Sequence, residues 1–424
     1  VSDLDDNVRL TRRREIGAVA ILSLGFGLVG IDRFLITTLY PVIARDLHLS
    51  YGDIGIITGA LAIAWGVSAL FTGNLSDRIG RRVVLTVSLI VFSLLIGASG
   101  LAVGLISLIA VRVVMGFADG AYTPVSIAGT LAASAPQRRG LNIGIQQMMM
   151  PLFGLGLCPL FVAGALRFIE WRFIFLFFVL PGFAVAYAVW KIIPQNSPGT
   201  DPSAAVIVRG GAQGGARAGA RRISDWKTVL SYSNVRIAAV LMLCWLTCLI
   251  TTSAFMPNYL VDYLHIELPQ MARIMSAIGL GATAGTLLLP WASDTLGRRP
   301  VMAMSSIGVL VSLLLLLNAR HPGSIFASLF MVHFFNNALI TLTVGPLCSE
   351  AVPAGLMATA SGLVIAVGEL FGGGLAPLVV GRLAQRFGIE HVLWLPIVIV
   401  ALGFFLCLAI QDVLRPSNEK RSTP

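Results

Sequence analysis

The sequence predicts an all-α membrane protein, with twelve transmembrane helices arranged as two pseudo-symmetric six-helix bundles. Three observations predict it. First, 56% of the 424 residues are hydrophobic and 12% are charged, about half the charged share of a soluble domain, which is roughly 25%. So few polar side chains cannot cover a water-facing surface of this size, which excludes soluble enzymes, disordered chains and nucleic-acid modules. Second, apolar stretches of about 20 residues recur along the chain, each long enough to cross roughly 30 Å of hydrocarbon at about 1.5 Å per residue. Third, SDRIGRR at 76–82 returns as SDTLGRR at 293–299, an offset of 217 residues and close to half the chain. Duplicated halves are a transporter architecture, with the substrate site expected near the midplane between them.

The elements follow in order. Residues 1–15 read as a cytoplasmic N-terminal tail. Spans predicted at 16–44, 54–75, 83–103, 105–133, 140–166 and 171–193 form a first bundle over 16–193. Residues 194–232, rich in Gly, Ala and Arg (GGAQGGARAGARR), hold nothing that could build a core and are predicted as a cytoplasmic linker. Spans at 234–262, 270–291, 300–319, 324–350, 356–384 and 392–412 form a second bundle over 233–412, and 413–424 is a cytoplasmic C-terminal tail. In lipid each span must be helical, because its backbone finds no water to bond. The first apolar run exceeds a signal-peptide core and no small-residue cleavage site closes it, so it is expected to be retained as a span.

The net charge of +10 resembles a nucleic-acid signal until the cations are located. With both termini in the cytoplasm, 20 of the 30 Lys and Arg fall in cytoplasmic segments and seven in outer loops; Arg33, Arg112 and Arg236 are the rest. That asymmetry orients a multi-pass protein of the inner (plasma) membrane, with both ends inside. The expected surroundings are a lipid bilayer, with no nucleic acid. Cys158, Cys244, Cys248, Cys348 and Cys407 all lie in apolar stretches, and their one close pair is spaced CxxxC, so no disulfide framework, metal site or cofactor is expected.

GNLSDRIGRR (73–82), with its weaker second copy, resembles the short cytoplasmic loop signature of the major facilitator superfamily. Two further segments resemble the anion:cation symporters of that superfamily, which include sugar-acid, phthalate-type and vesicular organic-anion carriers. These are IDRFLITTLYPVIARDLHLS (31–50) in the first span and RVVMGFADGAYTP (112–124) in the fourth. The resemblance covers nearly the whole first half and is diffuse in the second. It implies a major facilitator fold working by alternating access.

An ionised side chain at mid-membrane costs at least about 2.5–3.5 kcal/mol, so each needs a reason. The first half has four: Asp32, Arg33, Arg112 and Asp119. Seven residues apart, Arg112 and Asp119 fall within about 20° on one helix face and roughly 10 Å apart along it. Gly116 and Gly120 share that side and allow a neighbouring helix to approach. One reading makes the four a pair of ion pairs that only lock helices together, although buried pairs seldom add net stability. The other uses their charge sum. With both Asp ionised the quartet is neutral, whereas protonating both leaves two Arg that attract an anion, so proton and anion binding favour each other. The resemblance implies that Arg33 and Arg112 hold the substrate carboxylate, which the planar Arg fork accepts at two points, and that Asp32 and Asp119 couple protons. The family more often has Glu where Asp119 stands.

Glu369, in the GELFGG stretch of the eleventh span, stands where related symporters tend to have Asn. Several readings stay open for it: a protonated acid, a partner of an Arg in one conformation, a further proton carrier, a contact for a cationic or hydroxyl group of the substrate, or a tolerated acid at a packing seam. Trp65 in the second span stands where these carriers often have a pocket Tyr, and offers a stacking face without a hydroxyl. Gln146 and Gln147 in the fifth span, and His333, Asn336 and Asn337 in the tenth, are further candidate lining residues or interhelical hydrogen-bond partners. The expected substrate-binding set is Arg33, Arg112, Trp65, Gln147, His333, Asn337 and Glu369, and the proton-coupling set Asp32, Asp119 and Glu369.

In the repeated loops, Asp77, Arg78, Gly80, Arg81, Asp294, Gly297 and Arg298 read as gate parts, whose ion pairs and helix-end contacts must break when the inner side opens. Positive-inside anchoring fits the arginines but leaves the repeated Asp and Gly unaccounted for. GFGLVG (25–30) fits GxGxxG, yet it lies within a span with no preceding strand, so it is read as helix packing.

The expected function is a monomeric, proton-coupled symporter that imports an organic carboxylate anion, and not an enzyme. No P-loop, HExxH or GxSxG sequence supplies ATP-driven or familiar hydrolytic chemistry. Two alternatives remain: a spinster-like or multidrug-type proton antiporter exporting amphipathic compounds, and a non-transporting sensor or receptor.

Overall fold

In the computed structural model, residues 2–195, 228–353 and 356–410 are described, together with their side chains except at 2–11, 70–78, 136, 349 and 358. Twelve helices are long and apolar enough to cross a membrane. They are α1 (Arg12–Asp46), α2 (Tyr51–Ala69), α3 (Arg81–Gly100), α4 (Leu105–Ala133), α5 (Arg139–Ala165) and α6 (Trp171–Ile192) in the first half. In the second are α7 (Ser233–Tyr263), α8 (Leu268–Leu296), α9 (Arg298–Asn318), α10 (Pro322–Leu347), α11 (Thr359–Phe387) and α12 (Ile389–Leu408). No strand occurs among the described residues. The helix containing α1 begins at Ser2, so most of the expected tail is helical, and the helix containing α2 runs on to Ile79. Most of the expected linker, and the expected C-terminal tail, lie outside the described residues.

Gly80 ends the α2 helix at φ 90° and Gly297 ends α8 at φ 95°. This left-handed region favours glycine, because a Cβ there meets the following carbonyl. Both glycines belong to the repeated motif, which therefore encodes the same tight helix-to-helix turn twice.

The halves pack alike, with α4 lying along α2 and α10 along α8. Small residues set these distances. A Cβ on Gly116 or Gly120 of α4 would press on the backbone carbonyls of Leu61 and Trp65; on Gly281 or Gly285 of α8 it would press on those of Phe330 and Phe334. The internal symmetry extends to helix irregularities. A wider π turn interrupts α5 at Leu152–Leu157 and α11 at Gly368–Leu375, starting 216 residues apart.

Two further glycine seams join the halves: α2 against α11, where Gly59 meets the Gly374 carbonyl, and α5 against α8, where Gly279 meets Gly156. Apart from the central Arg33–Glu369 pair, the polar contacts across the halves among the described residues gather at the face away from the chain ends. Arg45 pairs with Asp262 at 3.5 Å, Tyr51 donates its hydroxyl to Asp262 at 3.0 Å, and the Gly52 amide donates to Gln385 at 3.2 Å. On the face carrying the chain ends, Glu15 pairs with Arg138, and Arg298 with Asp294 at 2.6 Å and Glu350 at 3.2 Å, each within one half. The halves are thus latched together at the far face.

The α5–α8 seam leaves no room for a side chain, since a Cβ on Gly279 would overlap backbone atoms of Pro151, Leu155 and Gly156. Gly279→Ala should therefore loosen the far-face closure. A cysteine placed at Ala44, in the vestibule beside Arg45, reports this against five buried native cysteines. Its labelling by an impermeant thiol reagent should accelerate at least about fivefold, since overpacking costs about 1–3 kcal/mol. An unchanged rate means that the seam does not hold that face shut.

Candidate functional site

Five ionisable side chains converge where the halves meet, all buried: Asp32 and Arg33 from α1, Arg112 and Asp119 from α4, and Glu369 from the π turn of α11. Helical spacing brings Arg112 and Asp119 to one side of α4, whereas adjacent Asp32 and Arg33 point about 100° apart round α1, which is buried on both of those sides. For Glu369 the local sequence GELFGGGL matters as much. A Cβ on Gly373 would stand 2.9 Å from the Glu369 Oε2 and 3.2 Å from Ala62, so glycine there leaves room for the carboxylate and for α2 together.

Arg33 donates from Nη1 to Glu369 Oε1 at 3.1 Å and from Nη2 to Oε2 at 2.7 Å, a two-point pair between the two halves. The guanidinium also lies over Trp65, 4.7 Å from the ring centroid, where the aromatic face attracts a cation. Trp65 is thus a platform for Arg33.

Arg112 donates from Nη1 to the Asp32 backbone carbonyl at 2.8 Å; its Nε and Nη2 have no hydrogen-bond partner among the described residues. The Asp32 and Asp119 carboxyls are close enough to interact electrostatically, and none of their oxygens has a hydrogen-bond partner among the described residues. Two ionised carboxylates buried close together repel each other, and one proton held between them removes that repulsion. Counting that proton, three carboxyls and two guanidinium groups sum to zero. Without it the cluster is −1, because Glu369 joins the quartet that the sequence balances on its own.

Both arginines line one cleft between the halves, with Phe34, Ile36 and Thr37 of α1, Thr58 and Leu61 of α2, and Ile250, Ser253 and Ala254 of α7. The sequence reading omits these neighbours, though spacing offers a signal: Thr37 is four residues after Arg33, and Leu61 four before Trp65. The other candidates are engaged elsewhere. Gln146 donates to Ser126 at 3.0 Å, His333 Nε2 meets the Thr252 hydroxyl at 3.0 Å, Asn336 donates to the Trp245 carbonyl at 3.1 Å and Asn337 to that of His333 at 3.3 Å. Gln147 is half-buried on α5. None of these five lines the arginine cleft.

Among the gate residues, Asp294 and Arg298 pair with each other, Gly80 and Gly297 make the turns, and Arg81 is buried beside Gly129. The Asp77 and Arg78 side chains lie outside the described residues. Absent from the expected gate are Arg45, Tyr51, Asn258, Asp262 and Gln385 of the far-face latch. The repeat holds a signal for Asp262, because Pro41 and Asp46 of α1 recur as Pro257 and Asp262 of α7, again 216 residues on.

A family model described as the Major Facilitator Superfamily matches residues 22–377. The chain is 24% identical to a putative metabolite transport protein of Haemophilus influenzae (strain ATCC 51907 / DSM 11121 / KW20 / Rd), over 93% of this chain and 95% of that one. It is 26% identical to the 3-(3-hydroxy-phenyl)propionate transporter of Escherichia coli (strain K12), over 89% of this chain and 90% of that one. Its fold is similar to the crystal structure of a bacterial homolog of the human lysosomal transporter Spinster in an inward-facing, unoccupied conformation, with a TM-score of 0.74 at 15% identity, covering 94% of this chain and 98% of that one.

The Arg33–Glu369 pair makes a stability prediction. Arg33→Ala strands a buried carboxylate and should cost about 3–5 kcal/mol, whereas replacing both partners by apolar residues (Arg33→Met with Glu369→Leu) should restore most of the loss. Thermal unfolding in detergent measures this. Equal destabilisation of single and double variants rules out a direct pair.

Proposed function

The chain belongs to the Major Facilitator Superfamily, and we propose that it is a proton-coupled symporter that imports an organic carboxylate anion by alternating access. It is a multi-pass membrane transporter and not an enzyme. The observation that carries the finer reading is the sealed cluster of two arginines and three acids at the meeting of the halves, whose net charge depends on proton occupancy. Neutral with one proton, it becomes positive with two and then attracts an anion strongly in a low-dielectric cleft. Proton and anion each make the other's binding more favourable, and such coupling is reciprocal.

In this scheme Arg33 and Arg112 hold the substrate carboxylate, and Asp32, Asp119 and Glu369 carry the coupling proton among them. Arg112 suits its role because two of its nitrogens have no hydrogen-bond partner among the described residues and its side chain lines the cleft. The relative named for 3-(3-hydroxy-phenyl)propionate supports a carboxylate as the class of cargo. Charge asymmetry favours cytoplasmic chain ends in an inner membrane. The latched face is then the outer one, and opening requires Arg45 and Tyr51 to leave Asp262. The domain limits of the sequence reading, its inner gate residues and a monomeric carrier belong to the same proposal.

The test is transport by the whole chain in proteoliposomes with labelled 3-phenylpropionate or gluconate as probe. An acid-outside gradient should drive accumulation by the wild type. Asp119→Asn, which cannot release a proton, should lower accumulation at least about tenfold, a difference of about 1.4 kcal/mol, while retaining exchange of the probe. Undiminished accumulation in Asp119→Asn removes that residue from coupling.

A further inference from the structure

Of the three proton-coupling acids, Glu369 is the one whose carboxylate is already paired with an arginine. Its carboxylate meets the Arg33 fork end-on through both oxygens, at 3.1 and 2.7 Å. This is the contact by which a guanidinium receives any carboxylate. Arg33 itself lines the cleft, so this contact fills a seat at the cleft's wall, within a residue pair only 7% and 6% exposed.

We propose that Glu369 stands in for the substrate's carboxylate in the empty carrier: an incoming monocarboxylate takes its place on Arg33, and Glu369 leaves with one proton from solution. The inference rests on the carboxylate-symport reading above. Charge conservation gives it content. With one proton among its three acids the empty cluster is neutral; a monocarboxylate plus one further proton keeps it neutral. An anion alone leaves −1, as does a dianion with one proton, so slippage without a proton is penalised and dicarboxylates are disfavoured. Neutrality both empty and loaded lets either form change conformation without moving uncompensated charge through a low-dielectric interior.

The surroundings leave few other sources of charge for this exchange. The ionisable groups near Glu369 are Arg33 and Asp32 of α1 and, beyond them, Arg112 and Asp119 of α4. On α2 it meets Ala62 and Gly66, and its π turn packs on Met242 and Leu246 of α7. The acids and bases of those two helices, Asp53, Arg236 and Asp262, sit near helix ends. His333 of α10 is turned to Thr252.

The same cleft names the body of the molecule. Apart from the arginines its polar lining is Thr37, Thr58 and Ser253, and each hydroxyl already donates to a carbonyl of its own helix: Phe34, Ile54 and Ile250 respectively. The rest is apolar. A polyhydroxylated acid would lose water there without enough partners, so the structure favours an aromatic or other compact apolar monocarboxylate.

Thermal shift on the purified full-length chain, with benzoate, 3-phenylpropionate, gluconate and succinate as probes between about pH 5.5 and 8, tests this. Wild-type affinity for benzoate or 3-phenylpropionate should strengthen as pH falls and exceed that for gluconate and succinate. Glu369→Gln, a neutral isostere, should bind the same probe at pH 8 at least about tenfold more tightly than wild type and with a flatter pH dependence. Infrared difference spectra of the wild type need no variant: binding should generate a protonated-carboxyl band. Weaker binding by Glu369→Gln, an unchanged pH slope, or no such band overturns the exchange, while preference for gluconate or succinate overturns the substrate class. A wild type stabilised by no carboxylate at any pH overturns the symport reading itself, and this inference with it.

Discussion

Buried charge in this protein must sum close to zero, and much of the architecture is arranged to let it. Five ionisable groups share a space sealed from solvent, where each unpaired charge would cost several kcal/mol. One arginine is held between an acid and an indole ring, the other donates to a backbone carbonyl, and two buried aspartates have no hydrogen-bond partner among the described residues. Glu369 is the member that alters the arithmetic. It turns a quartet neutral without protons into a quintet neutral with one, and it ties α11 to α1 across the two halves.

That tie depends on the glycine seams. Helices carrying ordinary side chains at α2–α11 and α5–α8 would stand too far apart for Arg33 to reach Glu369 with both nitrogens. Glycine at 59, 156, 279, 373 and 374 removes the spacing side chains. The π turn in α11 widens the helix at Glu369, and its counterpart in α5 lies beside the other seam. The duplicated sequence therefore builds two equivalent joints between the halves and places the charged cluster between them.

Much of this was legible in the sequence, for identifiable reasons. Hydropathy located the twelve spans to within a few residues, and α4 at its stated ends, because a lipid-crossing helix has a length fixed by hydrocarbon thickness. The Arg112–Asp119 spacing and the role of Gly116 and Gly120 as close-packing points followed from helix geometry alone. The repeated Gly80 and Gly297 were legible as a pattern, but their φ of 90° and 95° supplied the cause. What was not legible depends on contacts between distant segments. Nothing in GELFGG specifies Arg33 as the partner of its acid, 336 residues away. Likewise the sequence reading passes over Asp262, which receives Arg45, Tyr51 and Asn258. His333, Asn336 and Asn337 carried the chemistry expected of a lining, yet His333 and Asn336 hold α10 to α7 and Asn337 caps a carbonyl of its own helix.

The central claim is that anion and proton enter this cluster together. It is tested most directly by the pH change when a saturating monocarboxylate is mixed with wild-type protein in weakly buffered solution near neutral pH. The account predicts net uptake of about one proton per anion bound, since linkage requires the two bindings to reinforce each other equally. Binding without proton uptake, or with proton release, would contradict it.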